Sequence, residues 1–148
     1  MATTRTRHTA FTLVEILIVV MILGILAAIT IPMFNSFTSD SKSATTKAVL
    51  KTAREQLQLY YVNHQDQFPS LTQMWTNMTT KTLFDGTVDA SGRFGPYLMQ
   101  APVNQYTSSS TIVAIGSGTA NDGWEYDENT GRLLAVGFNE DTGVYTPP

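Results

Sequence analysis

The chain has no cysteine among its 148 residues, which excludes disulfide staples, thiolate metal sites and a cysteine nucleophile together. Histidine is nearly as scarce: His8 lies in a basic N-terminal stretch, and His64 is the other imidazole. There is no G-x-S-x-G elbow and no phosphate-binding glycine loop, and Gly116-Ser117-Gly118 reads as a turn. Asp and Glu are present, but no spacing selects an acid–base pair, so the sequence indicates no enzyme. Charge is also sparse, at 14% of residues with a net value of −3 and a pI near 5.2. That balance does not indicate a nucleic-acid partner.

What the chain has instead is one long apolar run, FTLVEILIVVMILGILAAITIPMF, from Phe11 to Phe34. Between Phe11 and Ile31 the only ionisable side chain is Glu15. As a helix this stretch is about 31 Å long, enough to cross a bilayer core. Lipid offers the backbone no hydrogen-bond partners, which favours helix. A carboxylate inside such a span costs several kcal/mol unless neutralised, which marks Glu15 as functional.

Residues 1–10, MATTRTRHTA, carry Arg5 and Arg7 and no acid. Positive charge ahead of an apolar span predicts a cytoplasmic N-terminus and an exported C-terminal part. A secretory signal places its small cleavage residue after the apolar run; here Ala10 precedes it. The order Ala10-Phe11-Thr12-Leu13-Val14-Glu15 resembles the processing site of type IV pilins and of type II secretion pseudopilins. Members of that family usually have glycine at the position of Ala10. The resemblance implies cleavage between Ala10 and Phe11 by a prepilin peptidase, N-methylation of Phe11, and no catalytic residue. It also implies pairing of the Glu15 carboxylate with the Phe11 ammonium of a neighbouring subunit, which offsets much of the cost of both charges. A plain signal anchor with a stray Glu is the alternative.

Pro32 removes a backbone donor, so a kink or local melting is expected there, as the family resemblance also implies. Gly24 reads as a helix-packing position. Beyond residue 34 the pattern turns amphipathic. Val49, Ala53, Leu57 and Tyr60 recur at helical spacing, widened by Leu50 and Tyr61, with Lys42, Lys47, Lys51, Arg54 and Glu55 on the wet face. One helix is predicted from Phe11 to about Asn63, ended by Gln65-Asp66-Gln67-Phe68-Pro69-Ser70. The tyrosine pair reads as core.

A short helix is predicted around Leu71–Thr80, then a loop over Asp85–Gly95. Strands are expected at Thr111–Ile115, Gly123–Asp127 and Arg132–Phe138, with Trp124 and Tyr126 alternating against Glu125. Asp127-Glu128-Asn129-Thr130-Gly131 is a hairpin connection in which Gly131 takes positive φ. The block Phe94-Gly95-Pro96-Tyr97-Leu98, followed by Ala101-Pro102-Val103-Asn104, resembles the connecting segment of major pseudopilins, as do Tyr61-Val62-Asn63 and Phe68-Pro69.

The expected organisation is a leader (1–10), a transmembrane or filament-core helix (11–34), its amphipathic continuation (35–64) and a periplasmic globular region (65–148). The fold class is α+β and pilin-like, with an antiparallel meander over about 111–138 packed on the second half of the helix. The resemblance implies self-polymerisation, other pseudopilins, the prepilin peptidase/methyltransferase and an inner-membrane platform as partners. It implies a single-pass inner-membrane protein that enters a periplasmic pseudopilus.

The missing disulfide, the short chain and the Gly-Pro-Tyr-Leu block lean towards the major pseudopilin of type II secretion. A type IV pilus or competence pilin, or a signal-anchored periplasmic binding protein, stays open. Calcium is common in the C-terminal loop of major pseudopilins. Asp122, Asp127, Glu128, Glu140 and Asp141 offer hard oxygens, but the family's Gly-rich, Asp-containing loop is not visible. They read as solvated turns, and none is assigned as a ligand. Asn77-Met78-Thr79 also fits a glycosylation sequon. Acids outnumber Arg93 and Arg132 from Asp85 onward, while the helix stem carries Lys, an asymmetry suited to steering neighbouring subunits.

Overall fold

The computed structural model describes residues 11–148, apart from the side chains of residues 32, 35 and 36. Helix α1 spans Leu13–Asn63 and its helical assignment includes Pro32. Tertiary contacts divide the chain after Ser39 into two compact units. In the first, the stretch Leu13–Ile31 is long and apolar enough to cross a membrane, and none of it is buried.

The second unit is built on residues 40–63 of α1. Leu50, Ala53, Leu57 and Tyr60 are buried to 2% exposure or less, because their spacing keeps them on one helical face. Val49 packs against this core from its edge, and Tyr61 sits half-buried with its ring 4.5 Å from that of Phe68. The helix ends where Gln65 and Asp66 take φ of 56° and 55°. The Asp66 N–H then turns back to the Tyr61 carbonyl at 3.1 Å.

A 3₁₀ turn, Leu71–Gln73, leads into α2, Met74–Thr79, which buries Met74, Asn77 and Met78. Trp75 donates its indole N–H to the Ser110 carbonyl at 2.7 Å. The N–H groups of Tyr97 and Leu98 both reach the Met78 carbonyl, at 2.9 and 2.8 Å, so the Gly-Pro-Tyr-Leu block is fastened to the end of α2.

The sheet comprises β1 (Ile112–Ala114), β2 (Trp124–Asp127) and β3 (Arg132–Ala135), in that order. Trp124 and Tyr126 point into the core, opposite Ala135 and Leu133. The hairpin falls where predicted: Asp127 accepts from Asn129 N at 3.0 Å and Thr130 Oγ1 at 2.7 Å, and Gly131 has φ of 69°.

The α+β class is as the sequence predicts, but one strand pairing corrects it. β1 runs parallel to β2, not antiparallel, with Ile112 opposite Trp124. Parallel pairing requires the chain to return to the starting edge. A strand of three residues asks for a return of only about 10 Å, which the segment 115–123 spans without a helix. Glu125 Oε1 anchors that return, accepting from Gly116 N at 3.1 Å and Gly118 N at 2.9 Å. Buried Asn104 closes the other side, donating to the Gly123 carbonyl at 2.8 Å.

Candidate assembly and processing site

Ala10, one side of the expected cleavage point, lies outside the described residues. Phe11 precedes the helix and is 79% exposed. Thr12 and Glu15 then form a reciprocal cap. The Thr12 hydroxyl accepts from Glu15 N at 3.2 Å, while Glu15 Oε2 accepts from Thr12 N and Thr12 Oγ1, each at 2.8 Å. Such a box satisfies donors that the first helical turn leaves without partners, and the carboxylate also sits at the favourable end of the helix dipole.

The cap gives Glu15 a role within its own chain. Oε2 takes both Thr12 bonds, and among the described residues no hydrogen bond is made to Oε1. The sequence reading singles out Glu15 but not Thr12, although T-x-x-E directly ahead of an apolar run is the signature of this cap.

The apolar surface beyond the cap is uncovered all the way round, from Leu13 at 81% exposure to Ile31 at 62%. An added Cβ at Gly24 would meet nothing within 4 Å. Thr30 satisfies its hydroxyl inside the helix, on the Leu26 carbonyl at 3.0 Å.

Four of the five candidate acids, Asp122, Asp127, Glu128 and Glu140, accept hydrogen bonds within the fold. Asp122 accepts from Thr119 N and Oγ1, Glu128 from Leu71 N, and Glu140 from Arg54. Asn129 and Thr130 hold the Asp127 carboxyl below the usual range, Thr130 most strongly. Among the described residues no three His, Asp or Glu side chains converge. The turn acids therefore form no carboxylate cluster among the described residues, and calcium, which also takes backbone carbonyl oxygens, is assigned no ligand.

His64 is 2% exposed, stacked 3.8 Å from the Tyr60 ring. Its Nδ1 faces the Tyr60 carbonyl at 2.8 Å and its Nε2 the Thr82 hydroxyl at 2.9 Å. Both nitrogens serve the fold. Asn77 is 5% exposed, which removes the sequon it heads from the surface.

Comparison with known proteins points to the same segment. Residues 5–31 match a model described as the prokaryotic N-terminal methylation motif. A fimbrial protein of Pseudomonas aeruginosa is 36% identical over 121 residues, 76% of this chain and 73% of that protein. The type II secretion system core protein G of Pseudomonas aeruginosa is 29% identical over 113 residues, 76% of this chain and 78% of that protein. The type IV major pilin protein PilA of Myxococcus xanthus is 53% identical over 45 residues, spanning 30% of this chain and only 20% of its own length. No solved structure matches the chain.

Proposed function

We propose a filament-building role for this chain, which belongs to the type IV pilin-like family of pilins and pseudopilins. The observation that carries the proposal is the N-terminal helix. Its surface from Leu13 to Ile31 is apolar and uncovered all round, and its one acid is held in a cap at the entrance. Lipid can cover such a surface, and so can identical helices packed around it.

In this reading the peptidase cuts between Ala10 and Phe11, Phe11 is methylated, and Oε1 of Glu15 meets the Phe11 ammonium of a neighbour. The neighbouring charge replaces the water that Glu15 loses on insertion. Pro32, inside α1, is where the helix kinks or opens on assembly. The unassembled subunit is a single-pass inner-membrane protein with its C-terminal unit in the periplasm.

The system served is type II secretion, with this chain as the major pseudopilin. The relationship to a core protein G over about three-quarters of each chain supports this, as does the resemblance of Phe94-Gly95-Pro96-Tyr97-Leu98 to the connecting segment of major pseudopilins. The similarity to a fimbrial protein favours a second reading, a pilus subunit. Deleting the gene separates the two: loss of exported proteins marks secretion, loss of surface fibres marks a pilus.

The experiment for the shared part is the intact mass and N-terminal residue of the protein from its own membranes. The expected product lacks MATTRTRHTA and carries a methyl group on Phe11. A chain still starting near Met1, unchanged by Ala10→Gly, overturns the reading. Glu15→Leu is expected to insert in the membrane normally and to lower filament yield.

A further inference from the structure

A cleft of about 600 Å³ opens in the second unit between the end of α1, the 67–73 connection and the 85–88 turn. Tyr60 and Asn77 line its floor. Asn77 donates Nδ2–H to Tyr60 Oη at 3.1 Å, while its Oδ1 is buried without a hydrogen-bond partner. A buried acceptor left unmade is unfavourable, and a donor that reached this oxygen would relieve it. At the rim, Asp85 is exposed, and the bonds it accepts from Thr87 hold its carboxyl below the usual range. The turn approaches closely because residue 86 is glycine: at φ of +83° a Cβ there would stand 2.7 Å from Tyr60 Oη.

Among the described residues no lysine or arginine lines this cleft. Two neutral oxygens below a carboxylate repel anions and suit a group with several N–H donors and a positive charge. A primary ammonium has that chemistry.

The stem of α1 supplies such groups in every copy. Lys42 lies over the Tyr106 ring at 5.9 Å, and Lys47 extends towards Gly143. Lys51 is 78% exposed and meets Glu55 at 4.0 Å, an exposed pairing that is weak and easily exchanged. Lys51 precedes Tyr60 by nine residues on the same helix, an axial offset of about 14 Å, beyond the span of its own side chain.

We infer that the cleft over Tyr60 and Asn77, rimmed by Asp85, receives the Lys51 ammonium of a second copy of this chain. The inference rests on the filament reading. Cleft and lysine are different patches of one surface, so the contact is head-to-tail, and an axial shift between copies makes it propagate without closing into a ring. Two copies with parallel α1 helices joined in this way are staggered by about 14 Å along the helix axis.

The test is zero-length carbodiimide cross-linking of full-chain filaments grown from a mixture of ¹⁴N- and ¹⁵N-labelled subunits. Mass spectrometry is expected to find an amide between Asp85 and Lys51 in mixed-isotope pairs. It should vanish in Asp85→Asn and in Lys51→Gln. Each variant is expected to lower filament yield several-fold at low salt while keeping the wild-type melting temperature. The double exchange Asp85→Lys with Lys51→Asp is expected to restore the yield. Filaments that form normally in Lys51→Gln, or that link Asp85 to another amine or to none, overturn the cleft assignment and leave the filament reading standing. Absence of filaments from the processed wild-type chain overturns both.

Discussion

Arg54 and Glu140, far apart in sequence, meet as a two-pronged ion pair. Nη1 lies 2.8 Å from Oε2 and Nη2 lies 2.6 Å from Oε1. The same guanidinium donates Nε–H to the Leu133 carbonyl at 3.0 Å, so one side chain of α1 fastens both β3 and the segment beyond it. A lysine has one point of charge and cannot reproduce this fork. Arg54→Lys is expected to lower unfolding free energy by about 2 kcal/mol, read by urea titration of the full chain in detergent.

Calcium offers a complementary check. A ligand that binds only the folded form raises its stability by mass action. With four of the acids already engaged by Arg54, Thr119, Thr130 and Leu71, neither millimolar calcium nor a chelator is expected to move the melting temperature. A rise with calcium would reveal ligands that these side chains surrender.

Alkaline pH acts through the buried tyrosines. Tyr126 donates to the Pro69 carbonyl at 2.9 Å, and burial, then the nearby Glu128 charge, raises its pKa well above the ordinary value. Burial raises Tyr60 and Tyr97 as well. A folded-state pKa above the unfolded value of about 10 means stability is complete below that pH and is lost as pH climbs through the folded value. Tyr126→Phe is expected to cost about 1 kcal/mol at neutral pH through the lost bond and to flatten the decline above pH 10. Melting curves of both chains across that range decide it.

The hairpin supplies a fourth expectation. At Gly131 the backbone is left-handed, and an added Cβ would run into the Phe68 ring. Gly131→Ala is therefore expected to destabilise by more than the ~1 kcal/mol of an ordinary positive-φ replacement. Asp127→Ala should act on the same turn but only above the acid range. Its depressed pKa supports the fold above the usual carboxylate value, and that support is lost as pH falls through the folded-state value.

Thr12 is the last position to test. Thr12→Ala removes the hydroxyl that both caps the helix and holds Glu15 Oε2, whereas Thr12→Ser keeps it. Loss of an N-cap costs about 1 kcal/mol. Filament yield is expected to fall with alanine and to be retained with serine, while membrane insertion, measured by fractionation, is the same for both.

Much of this architecture can be read from the chain because it is local. Leu50, Leu57 and Tyr60 declare a buried face by period, Trp124 and Tyr126 declare one by alternation, and Asp127 to Gly131 carry the chemistry of their turn. The direction of β1 has no such signature. Three residues hold no record of which edge they return to, and the return is held by Glu125, on the next strand, reaching the backbone of Gly116 and Gly118. The cleft is invisible for a related reason: its floor and rim come from α1, α2 and a loop, with no spacing that links residues 60, 77 and 85. The Thr12–Glu15 cap was legible as a motif, but a carboxylate at the head of an apolar span draws attention to partners in other chains first.

The uncovered helix carries a consequence for how the proposed filament would live. Leu13 to Ile31 present no preferred seam, so their cohesion counts neighbours and scales with how many surround each subunit. A subunit in the middle of a fibre is enclosed on all sides; one at a tip is not. In such a filament turnover would be confined to the ends, and the bilayer, which can wet the same surface, would be the reservoir from which an end is fed and into which it dissolves.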